Sequence, residues 1–567
     1  MIKLKEPLQC DVLVCGGGIA GMMAAIDAAG AGASVIVAEK ANTKRSGSGA
    51  TGNDHFQCYI PEVHGSEEEW LKLLFGSQEA KGLLKDMDIV TEWMRLGKET
   101  VLDWERWGIP MRPHGDWEFT GHTRPGRQGI HLKYAGRDQK LCLTKEALNR
   151  GVKILNRTPM AEIITNEKGE AIGAICLDLN DAEPAMQVIR AKTIFLGTGD
   201  SSRVVGTVEQ SGWMFNQCHC AANTGGGSMA CYRAGGELIG IDRESVFVGV
   251  CKFFYRGGKA TWVGVYTDLD GNPVSKYVTK PDWRCGDYTA DVDRDVFHRA
   301  REEANPLFMN CTMNSDFDNE YMRWGLDHEG NSATFPALEE EGFDIHKHMV
   351  EFGTGSVEYR ACSVRVNARA ETTVPYVYAG GNLTTANGMG GISGAAIMGR
   401  IGGRNAAEAA RLREFEDAEN RPIVQEMAAY YSKLWENEVD TETLSWKELN
   451  IAIMQTVWNY VGNGVKKSDR LYQVGLYHLR RLMSKLDRMH CSNVHEFMHC
   501  VEVRNIAQLA ECIMVAGRSR KESRGSFIRA DYPEKDPFYD GKFVSVHQEE
   551  GQPVAGLFEV VNKSSGD

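Results

Sequence analysis

Near the N-terminus, an apolar run of strand character ends in a glycine triplet and passes directly into an alanine-rich segment. The triplet is Gly16-x-Gly18-x-x-Gly21, and a second apolar run at residues 34–38 ends at Glu39. This order predicts a β-α-β unit that binds a dinucleotide, with the pyrophosphate at the helix N-terminus. Gly16 permits the tight turn, Gly18 lets the backbone approach the pyrophosphate, and Gly21 lets helix and strand pack closely. Glu39 is expected to accept hydrogen bonds from a ribose.

Composition and charge limit the classes of protein to which the chain belongs. Its 567 residues are 42% hydrophobic, which is enough for roughly two to four structural units. The formal net charge of −13 argues against a nucleic-acid surface. No signal peptide is recognisable in the charged residues 1–5, and no apolar run reaches the length of about 18 residues that a membrane span needs. We therefore expect a soluble, cytoplasmic protein.

The cysteines do not form a recognisable metal motif. All fifteen are scattered without a C-x-x-C spacing, and the closest pair is Cys218 and Cys220. Iron–sulfur clusters need grouped thiolates. The sequence therefore predicts buried free thiols, with no metal site and no iron–sulfur cluster in this chain.

After Glu39 the chain enters a loop of small residues, 44–55, which contains Arg45-Ser-Gly47. The fingerprint, the acid and this loop together resemble the flavoprotein superfamily of succinate dehydrogenase, fumarate reductase and adenylylsulfate reductase. That resemblance implies FAD as the cofactor. Membrane-bound fumarate reductases carry a flavin-linked histidine in this loop, whereas Gly47 stands at the matching position here. We therefore expect non-covalent FAD, since His55 lies too far along the chain to replace that histidine.

Three later segments extend the resemblance over nearly the whole chain. Residues 191–200 predict a buried strand that ends in Thr-Gly-Asp, similar to the second flavin signature of the superfamily. Residues 374–382 are similar to its third signature, with Asn382 in place of the usual acid. The string Glu-Ser-Arg-Gly-Ser-Phe-Ile-Arg-Ala-Asp-Tyr-Pro at 522–533 resembles the C-terminal signature of the superfamily.

The resemblance implies an α/β fold: a discontinuous Rossmann-like FAD-binding domain with an inserted α+β capping domain and a C-terminal helical bundle. The expected boundaries are 1–240 and 356–410 for the FAD-binding domain, 241–355 for the capping or substrate domain, 411–515 for the helical domain, and 516–567 for a tail packed on the FAD domain. The residues expected to bind the cofactor are Gly16, Gly18, Ile19, Ala20, Gly21, Glu39, Lys40, Ser46, Gly47, Ser48, Gly49, Thr51, Gly52, Ala161, Thr198, Gly199, Asp200, Asn382, Ser393 and Gly394.

Beyond the turn at 267–273 the capping segment is polar, and we expect it to be irregular as far as Gly353. Asp316, Asp318 and Glu320 are interpreted as surface acids within it, because a calcium loop needs a fuller set of oxygen ligands.

Two basic segments are candidates for substrate contact. His122 lies in a basic stretch at 110–137, and Lys252, Arg256 and Lys259 are interleaved with aromatic residues farther along. Cations in such a setting hold carboxylate, phosphate or sulfonate groups. A solvated loop and a solvated hairpin are the alternative interpretations of the two segments.

The resemblance implies electron transfer through flavin N5 to a small anionic substrate, such as an activated C=C carboxylate. The His-Pro-Thr and Asn-Arg-Leu-Gly motifs of fumarate reductases are missing, so adenylylsulfate or sulfite is an alternative substrate. An amino-acid or α-hydroxyacid oxidase and an inactive flavin-binding subunit also remain open. The sequence has no iron–sulfur motif and no second nucleotide fingerprint for NADH. We therefore expect electrons to come from a ferredoxin-like iron–sulfur subunit, in a hetero-oligomer.

Overall fold

The structure is a computed structural model that describes residues 2–78, 84–119, 129–205, 220–243, 245–250, 262, 264–273, 307–312, 314–358, 363–461, 466–525 and 527–561. Its strands are β1 Lys3–Leu4, β2 Leu8–Cys15, β3 Val35–Ala38, β4 His55–Gln57, β5 His131–Lys133, β6 Lys153–Leu155, β7 Met160–Thr165, β8 Ala171–Asp178, β9 Ala185–Leu196, β10 Leu238–Ile239, β11 Ser245–Val250, β12 Val265–Thr267, β13 Leu307–Asn310, β14 Val350–Glu358, β15 Ser363–Val364, β16 Val377–Ala379, β17 Leu444–Ser445, β18 Met489–His490, β19 Lys542–Glu549 and β20 Gln552–Glu559.

Its helices are α1 Ile19–Gly30, α2 Pro61–His64, α3 Glu67–Gln78, α4 Met87–Arg95, α5 Gly97–Arg106, α6 Gln139–Asn149, α7 Gly226–Arg233, α8 Asp316–His328, α9 Thr334–Glu340, α10 Gly391–Ala410, α11 Pro422–Glu436, α12 Trp446–Tyr460, α13 Asp469–Met483 and α14 Val494–Ser519. Short 3₁₀ helices occupy Ser202–Val204, Gly381–Thr384, Leu486–Arg488 and Pro537–Tyr539.

The largest sheet carries the predicted dinucleotide unit. Its strand order is β6-β3-β2-β9-β8-β7, and β1 and β16 also pair with β9. Strands β6, β3, β2 and β9 are parallel, whereas β7, β8 and β9 pair antiparallel. The four residues from Val12 to Cys15 are fully buried, as expected for a central parallel strand covered on both faces. The β-α-β prediction is therefore confirmed.

Helices α1 and α10 pack against each other without intervening side chains. A Cβ atom at Gly399 would lie 2.3 Å from the carbonyl oxygen of Ala20, and one at Gly403 would lie 2.3 Å from that of Ala24. Only glycine permits this approach of the two backbones. The contact fixes the start of α10, which is far away in sequence, beside the glycine turn that precedes α1.

The capping segment is more regular than its composition suggests. Strands β11, β14, β13 and β12 form an antiparallel sheet, and α8 and α9 lie between β13 and β14 in sequence. The expectation of an irregular chain was wrong here. Ser315 and Asp318 form a reciprocal capping box at the start of α8, and Asp318 is fully buried. The acids mark a helix N-terminus, and Asp318 is not a surface residue.

The C-terminal third packs as helices and then returns to strands. The apolar residues of α13 and α14 face each other, with Leu476, Leu479, Ile506 and Ile513 buried. The hairpin β19–β20 then joins β10 and β15 in a four-stranded sheet. The tail therefore closes on strands that lie much earlier in the chain.

The structure also bears on the expected absence of a membrane span. Among the helices of the described residues, none is long and apolar enough to cross a bilayer.

Candidate functional site

A cavity of about 790 Å³ lies at the carboxyl ends of β2, β3 and β9. Its size falls within the range of about 300 to 1,000 Å³ that is typical of ligand sites. Residues predicted to bind the cofactor form much of its wall: Gly16, Gly18, Ile19, Ala20, Glu39, Lys40, Ser46, Gly47, Ser48, Gly49, Thr51, Gly52, Thr198, Gly199 and Asn382. The three flavin-like segments of the sequence thus meet at one cavity.

The remaining predicted cofactor residues lie behind the wall. Gly21 is in the first turn of α1, and Ser393 and Gly394 are buried in the first turn of α10. Ala161 follows the lining residues Pro159 and Met160 on β7. Asp200 reaches the wall through Asn382, as described below. Direct contact of these residues with a cofactor stays a prediction.

The glycines of the turn from Gly16 to Gly21 differ in whether the surrounding protein leaves room for a side chain. Gly16 has φ +93°, and its N–H donates to the carbonyl oxygen of Ala38 at 2.8 Å. A Cβ atom at Gly21 would lie 1.8 Å from the carbonyl oxygen of Gly16. A Cβ atom at Gly18, in contrast, would come no closer than 3.7 Å to any described neighbour. The protein itself therefore leaves room for a side chain at position 18. A ligand in close contact with this backbone would account for the glycine.

The peptide of Gly17 is fixed from both sides. Its N–H donates to Oε2 of Glu39 at 2.5 Å, and its carbonyl oxygen accepts from Lys140 and, at 3.2 Å, from Oγ of Ser46. Burial lowers the pKa of Lys140 to about 8, although Glu39 opposes the change. Glu39 also accepts from the N–H of Ala41 at 2.6 Å. The carboxylate that was expected to bind a ribose therefore also holds the turn.

Lys40 connects the wall to a buried ionic cluster. Its Nζ lies 2.6 Å from Oε1 of Glu502, whose other oxygen pairs with Arg203 and, at 2.7 Å, with Nδ1 of His499. Burial by itself would raise the pKa of Glu502, but Lys40, Arg203 and His499 hold it well below its usual range. The cluster fixes α14 against the adenosine side of a Rossmann unit.

The second and third signatures are joined by one amide side chain. Nδ2 of Asn382 donates to Oδ2 of Asp200 at 3.0 Å, and Oδ1 accepts from the N–H of Gly391 at 3.1 Å. Asp200 also accepts from Asn223 and Ser202, each at 2.9 Å. An acid at position 382 could not donate to Asp200, so asparagine is the residue type that suits this arrangement.

Three helices of the described part of the chain begin at the cavity. Their N-cap residues are Gly18 for α1, Gly225 for α7 and Gly390 for α10, and residues of each first turn line the wall. A glycine has no side chain to cover the first-turn N–H groups. The three positive helix ends therefore favour a ligand with negative charge.

The donors of this wall fit a dinucleotide such as FAD. Oγ1 of Thr198 is buried and has no hydrogen-bond partner among the described residues, yet Thr198 lines the cavity. A pyrophosphate and its sugars need hydrogen-bond donors. The open backbone at Gly18, the N–H groups of the three helix ends and the hydroxyl of Thr198 provide them. By the resemblance, Gly47 is expected to stand at the position of the flavin-linked histidine of membrane-bound fumarate reductases.

A further part of the wall carries an imidazole between carboxylates. Nδ1 of His55 lies 2.6 Å from Oδ1 of Asp54, and His55 and Glu329 both line the cavity. Sequence reasoning considered His55 only as a flavin attachment point. The Asp-His pair directly after the glycine loop was the available signal.

Lys85 is another group that sequence reasoning missed. It is buried, and its Nζ donates to the carbonyl oxygens of Thr385 and Gly388, each at 2.6 Å. Burial lowers its pKa to about 7, and the nearby Arg243 adds to this effect. The lysine thus holds the loop that leads into α10.

The four residues predicted to contact substrate, His122, Lys252, Arg256 and Lys259, lie outside the described residues. Their roles stay predictions.

The sequence matches two protein-family models and several known proteins. The FAD binding domain model matches residues 11–396, and the fumarate reductase flavoprotein C-terminal model matches residues 451–555. An uncharacterized FAD-dependent oxidoreductase of Methanocaldococcus jannaschii is 22% identical, with 95% of this chain and 96% of that protein aligned. A CoM/CoB fumarate reductase polypeptide of Methanothermobacter marburgensis is 21% identical over 94% and 96%. L-aspartate oxidase of Bacillus subtilis is 21% identical over 83% and 82%.

Solved structures give the same picture of the fold. Adenylylsulfate reductase of Archaeoglobus fulgidus superposes with a TM-score of 0.81 at 18% identity, covering 99% of this chain and 98% of that one. The E. coli quinol fumarate reductase flavoprotein superposes with a TM-score of 0.78 at 16% identity, covering 98% and 97%. At such identities the likeness establishes the fold alone.

Proposed function

Because the chain belongs to the fumarate reductase and succinate dehydrogenase family of FAD-binding flavoproteins, we propose that it is the flavoprotein subunit of a reductase for a small anionic substrate. As a member of this family it is an FAD-dependent oxidoreductase. Electrons would come from an iron–sulfur partner and leave through flavin N5 to an activated C=C carboxylate. The observation that carries the proposal is the single cavity at which the three flavin segments and residues of the capping segment meet.

In this proposal the chain holds FAD without a covalent bond. The turn from Gly16 to Gly21 would bind the pyrophosphate, and Glu39 would bind the adenosine ribose. Asn382 and the start of α10 would lie along the flavin, where a positive helix end stabilises negative charge on the reduced ring. Bound FAD supplies two-electron chemistry at N5.

The chain's own residues would bind and orient the substrate. Arg256 and His122 are proposed as the principal contacts, with Lys252 and Lys259 beside them. A guanidinium matches the two oxygens of a carboxylate. Arginine is a poor proton donor because its free pKa exceeds about 12, so the proton needs another source.

The electron route is proposed from the sequence. The chain has no grouped cysteines and one nucleotide fingerprint, which favours electron donation by a ferredoxin-like iron–sulfur subunit in a cytoplasmic hetero-oligomer. We expect the isolated, FAD-loaded chain to be bleached by dithionite and only slowly by NADH. Rapid bleaching by NADH would contradict this route.

Substrate oxidation of the reduced flavin tests the reaction itself. The dithionite-reduced protein is freed of excess dithionite under anaerobic conditions and mixed with fumarate, crotonate or acrylate. We expect at least one enoate to restore the flavin absorbance. Arg256→Met should raise the KM for that enoate, whereas Arg518→Met, at an exposed pair with Asp469, should leave it unchanged. Failure of every enoate would contradict the proposed substrate class.

Two other functions have specific support. The missing His-Pro-Thr and Asn-Arg-Leu-Gly motifs favour an adenylylsulfate reductase type of flavoprotein, which adenylylsulfate would identify by reoxidising the reduced flavin. The relatives named L-aspartate oxidase favour oxidation of an amino acid, which oxygen consumption with L-aspartate would reveal. A flavin that none of these compounds reoxidises or reduces would indicate an inactive flavin-binding subunit.

A further inference from the structure

His55 and Asp54 form an imidazole–carboxylate pair in the cavity wall that the proposed function does not yet use. We propose that His55 is the acid–base residue that gives a proton to the substrate beside the flavin, and that Asp54 positions its ring. This inference rests on the proposed function, because it supplies the proton donor that the reduction of a C=C bond needs. It does not depend on which enoate is the substrate.

The pair has the geometry of a positioned acid. Asp54 is fully buried, and its Oδ1 lies 2.6 Å from Nδ1 of His55. A buried carboxylate on one ring nitrogen sets the orientation of the imidazole and stabilises its protonated form, as in hydrolase triads. Nε2 points to the opposite side of the ring. His55 is half-buried and lines the cavity, so the residue borders both the protein interior and the ligand space.

The position of the Asp54–His55 pair within the cavity follows from which residues line each part of the wall. The adenosine and pyrophosphate of a Rossmann unit lie at Glu39 and at the start of α1. The capping segment contributes Glu329 and Asn331 to another part of the wall, beside Asn53 and His55. That part is the space available for the ring and a substrate, and it is where a proton donor is required.

Close backbone contacts hold the capping residues against this part of the wall. A Cβ atom at Gly52, which has φ +111°, would lie 2.2 Å from the carbonyl oxygen of His328. A Cβ atom at Gly330 would lie 2.6 Å from Cβ of Thr51. These two glycines lock the end of α8 onto the loop before β4. Glu329 is therefore kept close to His55.

The charges around the ring favour a protonated imidazole. A ring nitrogen of His55 and carboxylate oxygens of Asp54 and Glu329 all lie within 4.8 Å of one another. The ring of His131, on the neighbouring strand β5, meets His55 edge-on at 5.2 Å, and Oη of Tyr321 lies 3.4 Å from Oδ2 of Asp54. Each of the two carboxylates favours the protonated form of the ring, whereas a protonated His131 would disfavour it.

The proposed step balances as follows. A hydride, with both electrons, would reach one carbon of the C=C bond from the reduced flavin that the proposed function supplies. The N–H bond of the His55 imidazolium breaks as a C–H bond forms at the other carbon. The substrate gains two hydrogens, the flavin is left oxidised, and neutral His55 takes a proton from solvent.

Spectroelectrochemistry tests the pair without any substrate. In the FAD-loaded wild type, the midpoint potential of the flavin plotted against pH should change slope between about pH 5 and 8, because a histidine near the flavin titrates there. His55→Gln should remove that change, and His547→Gln, at an exposed pair with Glu549, should retain it. Asp54→Asn should move the change to lower pH, since the carboxylate that favours the imidazolium is lost.

A wild-type plot with no change of slope, or a His55→Gln plot that keeps it, would overturn the proposal. FAD content and thermal unfolding are measured for every variant, and His55→Asn serves as a second replacement if His55→Gln fails to fold.

The half-reaction gives an independent readout. With the enoate that reoxidises the wild type, His55→Gln should slow reoxidation by about 100-fold or more, the usual contribution of a general acid. Reduction by dithionite should be unchanged. If no enoate reoxidises the wild type, the proposed substrate class fails, while the dependence of the potential on pH still decides the role of His55. Reoxidation of His55→Gln at the wild-type rate would contradict the assignment.

Discussion

Gly18 and Gly21 lie in the same turn, but packing of the protein requires glycine only at position 21. A side chain at Gly21 would overlap the carbonyl oxygen of Gly16, whereas one at Gly18 would meet no described protein atom within 3.7 Å. Gly21 therefore serves the packing of α1 on β2. Gly18 keeps the surface of the cavity open for a ligand.

Alanine at the two positions should separate these roles. Gly21→Ala should lower the free energy of unfolding by about 3 kcal/mol or more, because a well-packed turn cannot absorb the extra methyl group. Gly18→Ala should leave the unfolding of the FAD-free protein nearly unchanged and weaken FAD binding by at least about tenfold. Thermal unfolding and FAD titration measure the two effects. Loss of stability in Gly18→Ala without FAD would contradict the assignment.

Single residues differ in how far the sequence could locate them. Gly16, Gly18 and Glu39 were identified because their spacing within a β-α-β unit is fixed by the geometry of the fold. Lys140, Lys85 and the pair at 54 and 55 were not, because each depends on a partner that is distant in sequence or carries no spacing rule. A lone lysine gives no sign that it is buried against the carbonyl oxygen of Gly17.

At the scale of elements, the C-terminal signature is a structural joint. Arg520 is buried and pairs with Asp242, just after β10, and with Glu522 at 2.6 Å. Glu522 also binds Arg524 at 2.9 Å, and Arg529 pairs with Asp531 at 2.7 Å. These ion pairs lie where the end of α14 meets the sheet of β10, β15, β19 and β20. Arg520 and the adjacent signature thus join the end of α14 to the segment that follows β10.

Removal of one cation from this joint should be costly. Arg520→Met should lower the free energy of unfolding by about 3 to 5 kcal/mol, because two buried carboxylates lose a partner. The control Arg518→Met breaks an exposed pair with Asp469 and should cost less than about 1 kcal/mol. Urea unfolding of the FAD-loaded protein compares them. Equal stability of the two variants would show that the joint is not needed.

Elements were predictable where one signal dominated. The apolar runs of β2, β3 and β9 were sufficient, because strands that are buried on both faces of a sheet read as continuous apolar runs. The capping segment was not, since α8 is polar apart from one face and its acids looked like a surface loop. The capping box at Ser315 and Asp318 was the local sign of a helix.

At the scale of the whole molecule, the cavity wall is built from segments that span residues 16 to 395. Gly47, which has φ +79°, is the residue that the resemblance matches to the flavin-linked histidine of membrane-bound fumarate reductases. A glycine offers no nucleophile to the ring. We therefore expect the proposed cofactor to be retained by hydrogen bonds, helix ends and packing.

Denaturation should release all of the flavin. Trichloroacetic acid precipitation of the yellow, FAD-loaded protein should leave the chromophore in the supernatant as intact FAD, because unfolding removes every noncovalent contact. Absorbance and fluorescence of the supernatant, before and after phosphodiesterase treatment, identify it. Flavin that stays with the precipitate would contradict the prediction, and His55→Gln would then test the nearest histidine of the loop as the attachment point.

The long sequence separation between the two sides of this wall also affects biosynthesis. Ile392 and Ala395 of α10 line the same cavity as Gly16 and Gly18. A nascent polypeptide therefore lacks one side of the pocket until the codons for α10 have been translated. Strand β19, which pairs with β10, is made later still, so the N-terminal segments must wait for distant parts of the polypeptide before the molecule can retain its prosthetic group.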